Sequence, residues 1–336
     1  MPDLGVRYVV EGSVRRAGGT LRVAAHLVEA TTGEQLWAER FDDSTTGLFD
    51  LQDRITEAVV GLLEPQIRLA EIERVRRKRP ESLDAYELFL RALPYVYGMD
   101  PGGYAEGIAL LERAIGINPE FAPALAYAAW CYEKRITLGL PPLTADDTKT
   151  CLGLVQAALS HGRDDPVVVA VCGWLRILIG RDASKGLGAL RRAMAVNPNN
   201  LVILNLAGAA NQGFGDLAEA SACYRRAYRL GPGSPDAFYS LTGEGGVQVM
   251  LGNYELGIEW LLRSLATFNE WVVTYWGLAV AYAQLSRMAE AREAVRKILE
   301  LTPHATVAKL VAGPFRDYQL SALFVEGWRK AGLPEN

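Results

Sequence analysis

Prolines that close helical stretches recur at Pro198, Pro232 and Pro303, with Asn269 standing where a further one falls, so the steps are 34, 37 and 34 residues. An earlier stretch ends in the same manner at Ile117-Asn118-Pro119. A chain that repeats at this interval does not build one central core. Each repeat is a supersecondary unit that buries its apolar face only against its neighbours.

The clearest unit runs from Leu201 to Ser234 and carries Leu204, Ala207, Gly208, Gly215, Leu217, Ala220, Tyr224, Ala227 and Pro232. The order is a large residue, a small pair, a turn glycine, then small, aromatic, small and proline. Small residues let two antiparallel helices approach, and large ones fill the space left between them. This is the pattern of the tetratricopeptide repeat, whose period is about 34 residues. Units at Val272–Pro303 and Pro166–Pro198 repeat it, and looser copies cover Ser82–Pro119, Ala122–Arg163 and Pro235–Asn269, six in all. After Pro303 come a short helix near Ala305–Ala312, a break at Gly313-Pro314 and an amphipathic helix with Leu320, Leu323, Phe324 and Trp328 on one face. The expected fold is mainly α: a right-handed solenoid over residues 82–303, capped by 304–336.

Residues 1–78 read differently. Arg7–Arg15 and Leu21–Glu29 have strand composition and are joined by Arg16-Ala17-Gly18-Gly19; Thr31–Glu34 then turns the chain into a third strand, Gln35–Asp42. Val9, Val14, Leu21, Val23, Leu27 and Leu36 are expected on one face of this antiparallel sheet. A helix starting at Ser44-Thr45-Thr46 presents Leu48, Leu51, Ile55, Val59, Leu62 and Leu63 as a stripe and runs past Pro65 to about Arg77. Its basic end, Arg74 and Arg76–Arg79, is expected to be a solvated helix terminus.

The stretch LGVRYVVEGSVRRAGGTLRVAAHLVEATTGEQLWAERFDD at residues 4–43, with LFDLQDRITEAVVGLLEPQI after it, resembles the second half of the TolB/FlgO-type α/β domain. That domain occurs ahead of tetratricopeptide arrays in bacterial class III adenylate/guanylate cyclases and in CadC-like winged-helix regulators. ESLDAYELFLRAL at 81–93 and the ending PFRDYQLSALFVEGWRKAGLPE resemble the cyclase-linked group. The resemblance implies the accessory region of a signalling protein. The resembling stretch begins at Leu4, so the resemblance carries no catalytic residue onto these positions and no catalysis is expected of them. The resemblance also implies further strands and helices completing the sheet, so either homodimerisation or local disorder through residues 5–42 is expected.

The chemistry-bearing residues point the same way. Three histidines (His26, His161, His304) are dispersed, and Phe41-Asp42-Asp43 leads into a helix start rather than pairing carboxylates on adjoining strands. No catalytic group, metal site or cofactor is expected. Cys131, Cys151, Cys172 and Cys223 fall in helical stretches without a CxxC pair and read as buried thiols of a reducing, cytoplasmic compartment. A formal net charge of −4 offers no global attraction for nucleic acid, and no apolar run is long enough for a membrane span.

The functional expectation lies in the repeat register. Certain first-helix positions of each repeat face the concave groove, and here they are Trp130, Glu133, Trp174, Asn205, Gln212, Tyr239 and Trp276. Aromatic anchors beside amide groups suit an extended peptide or a helix. The alternative is that the large rings only fill the interior of the superhelix. The expected function is therefore a noncatalytic scaffold that binds a protein or peptide, with a role as the accessory part of an adenylate cyclase or of a winged-helix regulator as the alternative.

Overall fold

The computed structural model describes residues 6–17, 20–44, 48–76, 83–98, 102–234, 236–312 and 322–336. They form two compact units, Met1–Arg79 and Pro80–Asn336.

In the first unit, β1 (Tyr8–Ala17), β2 (Thr20–Glu29) and β3 (Gln35–Ser44) make an antiparallel sheet in chain order. The first two strands run further than expected, pairing Ala17 with Thr20; Gly18 and Gly19 lie outside the described residues. Gly33 turns the chain between β2 and β3 at φ 73°, a conformation that costs glycine nothing. The expected apolar face needs correction. Side chains alternate along a strand, so Val14 shares a face with Val10 while Val9 lies on the other. Val10 pairs with Leu27 and Val14 with Val23, and Leu27 pairs in turn with Trp37. A register shift after Leu27 makes Trp37 and Phe41, not Leu36, the partners of that face on β3.

Helix α1 (Leu48–Arg76) packs on β3 with Pro65 inside it. Of its expected stripe, the described side chains are Ile55, Val59 and Leu63, all half-buried; Thr45, Thr46 and Arg77–Arg79 lie outside the described residues. Near its end the buried Glu71 receives hydrogen bonds from Tyr8 Oη at 2.7 Å, Arg7 at 2.5 Å and Arg74 at 2.8 Å. Arg76 pairs with Glu73 at 3.6 Å.

The second unit is a run of helical hairpins: α2 (Ala85–Tyr97) with α3 (Gly103–Ile117), α4 (Ala122–Thr137) with α5 (Asp147–His161), α6 (Pro166–Leu178) with α7 (Ala183–Val196), and α8 (Leu201–Gly213) with α9 (Leu217–Leu230). Then follow α10 (Ala237–Met250) with α11 (Tyr254–Thr267) and α12 (Val272–Gln284) with α13 (Met288–Leu301). Helix starts are written in short polar side chains. Asp146, Asp165, Asp182, Asn200 and Asp216 each accept a hydrogen bond from a first-turn N–H, and Asp84 forms a reciprocal capping box with Glu87.

The turns inside four consecutive hairpins share one backbone feature. Arg181, Gly215, Gly252 and Ser286 all have positive φ, at 54°, 85°, 82° and 60°. Their spacing reproduces the 34, 37 and 34 residues of the prolines. The N–H groups of Asp216, Asn253 and Arg287 then reach back five residues to the carbonyls of Asn211, Gln248 and Tyr282, closing each helix end.

Between hairpins the fit is tight. The Tyr224 ring of α9 lies against Gly208 on α8 and Gly243 on α10, where an added Cβ would stand 2.9 Å and 2.2 Å from the ring. Beyond α13, α14 (Val307–Ala312) leads towards α15 (Ala322–Ala331); the expected break at Gly313-Pro314, and Leu320, lie outside the described residues. Helix α15 packs mainly on α12, the first helix of the last hairpin, and Trp328 Nε1 donates to the Trp276 carbonyl at 3.2 Å.

Candidate ligand-binding cavity

The first helices α4, α6, α8, α10 and α12 follow one another along the inner side of the array, and together they line a cavity of about 240 Å³. Phe324 and Trp328 of α15 and Leu310 of α14 close one end. All seven positions expected on the groove lie on this cavity: Trp130 and Glu133 from α4, Trp174 from α6, Asn205 and Gln212 from α8, Tyr239 from α10 and Trp276 from α12. They fall into two depths. Trp130, Glu133 and Trp174 are buried, whereas Asn205, Gln212, Tyr239 and Trp276 are half-buried.

Repeat register accounts for the convergence. Positions one period apart occupy equivalent places on successive first helices, so a residue type needed on the inner face recurs at that period. Several of these side chains also serve the fold. Trp130 packs edge-on against Tyr97 and Tyr127, with ring centroids 6.1 and 5.6 Å away. Gln212 accepts from Tyr224 Oη at 3.1 Å and turns its amide nitrogen to Met250 Sδ at 3.6 Å. Asn205 Oδ1 accepts from Ser240 Oγ at 2.8 Å.

The register alone did not single out Lys134. Its Nζ donates to Tyr239 Oη at 2.7 Å and lies 4.9 to 5.5 Å from the ring centroids of Trp271, Tyr239 and Trp130. An ammonium is attracted to the faces of aromatic rings at such distances. The signal in the sequence was the run Glu133-Lys134-Arg135 inside an otherwise apolar helix. All three are buried, at 3%, 8% and 6% exposure.

Burial governs the electrostatics here. It pushes the Glu133 carboxyl above its ordinary range, against the pull of Lys134 and of the Thr137 hydroxyl that donates to Oε1 at 2.6 Å. It pushes the Lys134 ammonium down, against the opposing effect of Glu133. The Cys131 thiol, also on α4, is raised by burial to about 12, which suits a packed core thiol and not a nucleophile. Among the described residues, no group of three His, Cys, Asp or Glu side chains is arranged to hold a metal ion. Asp42, the residue nearest in pattern to a cyclase carboxylate, is taken up by Arg22 at 2.7 Å and Arg40 at 2.6 Å on the sheet. No described helix is long and apolar enough to cross a membrane.

Hairpins of this length, with a positive-φ turn inside and a proline after the second helix, define a tetratricopeptide-type solenoid, and residues 272–304 match the tetratricopeptide repeat model. Among curated proteins, a putative adenylate cyclase 3 of Rhizobium meliloti is 31% identical over 180 residues, which span 52% of this chain and 31% of the relative. The chain thus matches about a third of that relative's length. Similar solved structures include the APC/C hetero-tetramer Cut9–Hcn1, with a TM-score of 0.53 and 13% identity over 82% of this chain and 47% of that one. Another is the human IFIT1 dimer with m7Gppp-AAAA, with a TM-score of 0.54 and 14% identity over 66% of this chain and 51% of that one. At such identities the likeness concerns the fold.

Proposed function

We infer that this chain is a noncatalytic regulatory module, the accessory region of a signalling protein, whose inner cavity takes up a segment of a protein or peptide. The observation that supports this reading is the meeting of seven register-defined positions, from five separate helices, on one cavity. Half-buried Tyr239 and Trp276 offer large rigid rings on the same cavity as the amides of Asn205 and Gln212, the combination that anchors a polypeptide.

The likeness to a putative adenylate cyclase supports a parent of that class, in which the TolB/FlgO-like segment and the array carry a binding signal to a cyclase. A CadC-like winged-helix parent is the alternative. The cavity lining offers a single basic side chain, Lys134, where a polyphosphate chain calls for several cations, so nucleic acid is not proposed as a partner. The buried thiols fit a cytoplasmic setting.

The N-terminal sheet offers a second contact. Val10 and Val14 on β1 are 46% and 67% exposed, although they share a face with the buried Leu27. An edge strand with an uncovered apolar face invites a second copy, and homodimerisation through residues 5–42 is part of this proposal. Removing residues 1–45 then halves the mass seen by light scattering; an intact chain that is already monomeric removes the dimer.

The test of the binding reading is substitution of Trp174 and Trp276 by alanine, with affinity for a selected displayed peptide measured beside the thermal midpoint. Loss of about 2 kcal/mol at a true anchor is expected, with folding kept. Unchanged affinity in both variants moves the site elsewhere. ATP or GTP with Mg²⁺ or Mn²⁺ is expected to yield no cyclic nucleotide, and turnover abolished by Asp42→Asn overturns the noncatalytic reading.

A further inference from the structure

The cavity holds more hydrogen-bond donors than the protein uses. Lys134 is 8% exposed, and of its ammonium N–H groups one is given to Tyr239 Oη while the aromatic faces of Trp271 and Trp130 lie alongside. No carboxylate among the described residues forms an ion pair with it. Asn205 spends its amide oxygen on Ser240, which leaves its N–H pair as donors. Buried donors without acceptors are costly, and native proteins keep few of them.

The acids of the lining do not answer this surplus. Glu133 accepts from the Thr137 hydroxyl, while Lys134 Nζ turns to Tyr239. Asp236 lies at the start of α10 and has a partner of its own. One ammonium with neutral N–H donors matches a single negative charge, whereas a phosphate dianion calls for further cations. The surrounding walls are apolar and aromatic, supplied by Trp174, Leu206, Val273 and Trp276. A cavity of about 240 Å³ is smaller than those of drug-sized ligands, and a concave apolar space with a few convergent polar groups is the usual form of a small-molecule site.

We propose that this cavity is a site for a small apolar monocarboxylate, whose carboxylate takes the donors of Lys134 and Asn205 while its aliphatic or aromatic body lies against Trp174 and Trp276. This rests on the reading of the inner cavity as a binding site, and it names the chemistry taken up beside Lys134. It makes the module responsive to an organic acid.

The experiment is calorimetric and ligand-observed NMR titration of the full chain with 3-phenylpropionate, octanoate, 3-phenylpropanamide and 3-phenylpropylammonium. Both acids are expected to saturate the chain, with the amide and the ammonium at least about tenfold weaker. Asn205→Leu removes the N–H pair at nearly constant volume, and is expected to weaken the acids by roughly three- to tenfold. Lys134→Met is expected to abolish the preference for acid over amide. Should Lys134→Met fail to fold, Asn205→Leu and the acid–amide comparison on the native chain decide. Equal binding of acid and amide, strongest binding of the ammonium, or an acid preference that survives Lys134→Met overturns the proposal. If displayed peptides bind in a Trp276-dependent way and no acid does, this inference falls and the peptide reading stands. If neither acids nor peptides bind, both fall.

Discussion

Lys134 Nζ donates to the Tyr239 hydroxyl at 2.7 Å, joining α4 to α10 across 105 residues of chain. The hairpins containing these helices are separated by two others, so the contact spans the inner side of the array and does not run between neighbours. It places a buried amine among the rings of Trp271, Tyr239 and Trp130.

That buried amine gives a pH signature. Burial holds the Lys134 ammonium below its ordinary 10.5, so between the lowered value and 10.5 the unfolded chain binds more protons than the folded one. Unfolding free energy therefore rises with pH through this window. In Lys134→Met that contribution is absent. Urea unfolding from pH 7 to 10 should show the native chain gaining stability relative to the variant as pH rises; parallel curves would mean that the aromatic faces fully compensate the burial.

Ser286 and Arg181 occupy the positive-φ turn position that glycine fills at 215 and 252. A side chain in that region costs roughly 1–2 kcal/mol, which glycine avoids. Ser286→Gly is expected to stabilise the array by about 1 kcal/mol in chemical denaturation, and Gly215→Ala to destabilise it by a similar amount. A neutral or destabilising Ser286→Gly would show that the serine side chain offsets the strain.

Gly243→Ala places a methyl group 2.2 Å from the Tyr224 ring, closer than any contact tolerates. Tyr224 is buried between α8 and α10 and donates to Gln212, so it cannot swing away without breaking that bond. A loss of roughly 1–3 kcal/mol is expected. The near-ultraviolet circular dichroism should change as well, since the ring must move.

Glu71 ties the first strand to the end of α1. Burial alone would raise its carboxyl, but the hydrogen bonds from Tyr8, Arg74 and Arg7 outweigh it and hold the group down at about 2, against an ordinary 4.5. Its contribution is fully present above pH 4.5 and is lost as pH falls through about 2. Glu71→Gln is expected to cost the N-terminal unit on the order of 1–3 kcal/mol at neutral pH, and the difference from the native chain should shrink as the solution is acidified. Hydrogen exchange of the β1 amides at pH 7 and pH 3 measures it.

Most of the solenoid was legible because its determinants are local. The prolines and the small–large alternation each act within one hairpin or between adjacent ones. The inner-face positions could be chosen by counting, since one period carries a residue to the equivalent place on the next first helix. The N-terminal sheet was legible as three strands but not in its faces. Counting apolar residues grouped Val9 with Val14, which strict alternation separates, and the register shift after Leu27 exchanged Leu36 for Trp37.

By itself the sequence determined the repeat length, the helix ends, the three strands and the seven first-helix positions that lie on the cavity, because each depends on neighbours within about 40 residues. Tertiary structure alone decided that Lys134 meets Tyr239 and Trp271, that α15 lies on α12, and that the inner side closes into a cavity with unused donors. The reason is cumulative geometry. Each hairpin is rotated slightly on the one before, and whether α4 reaches α10 depends on the sum of those rotations, a quantity that no single repeat encodes.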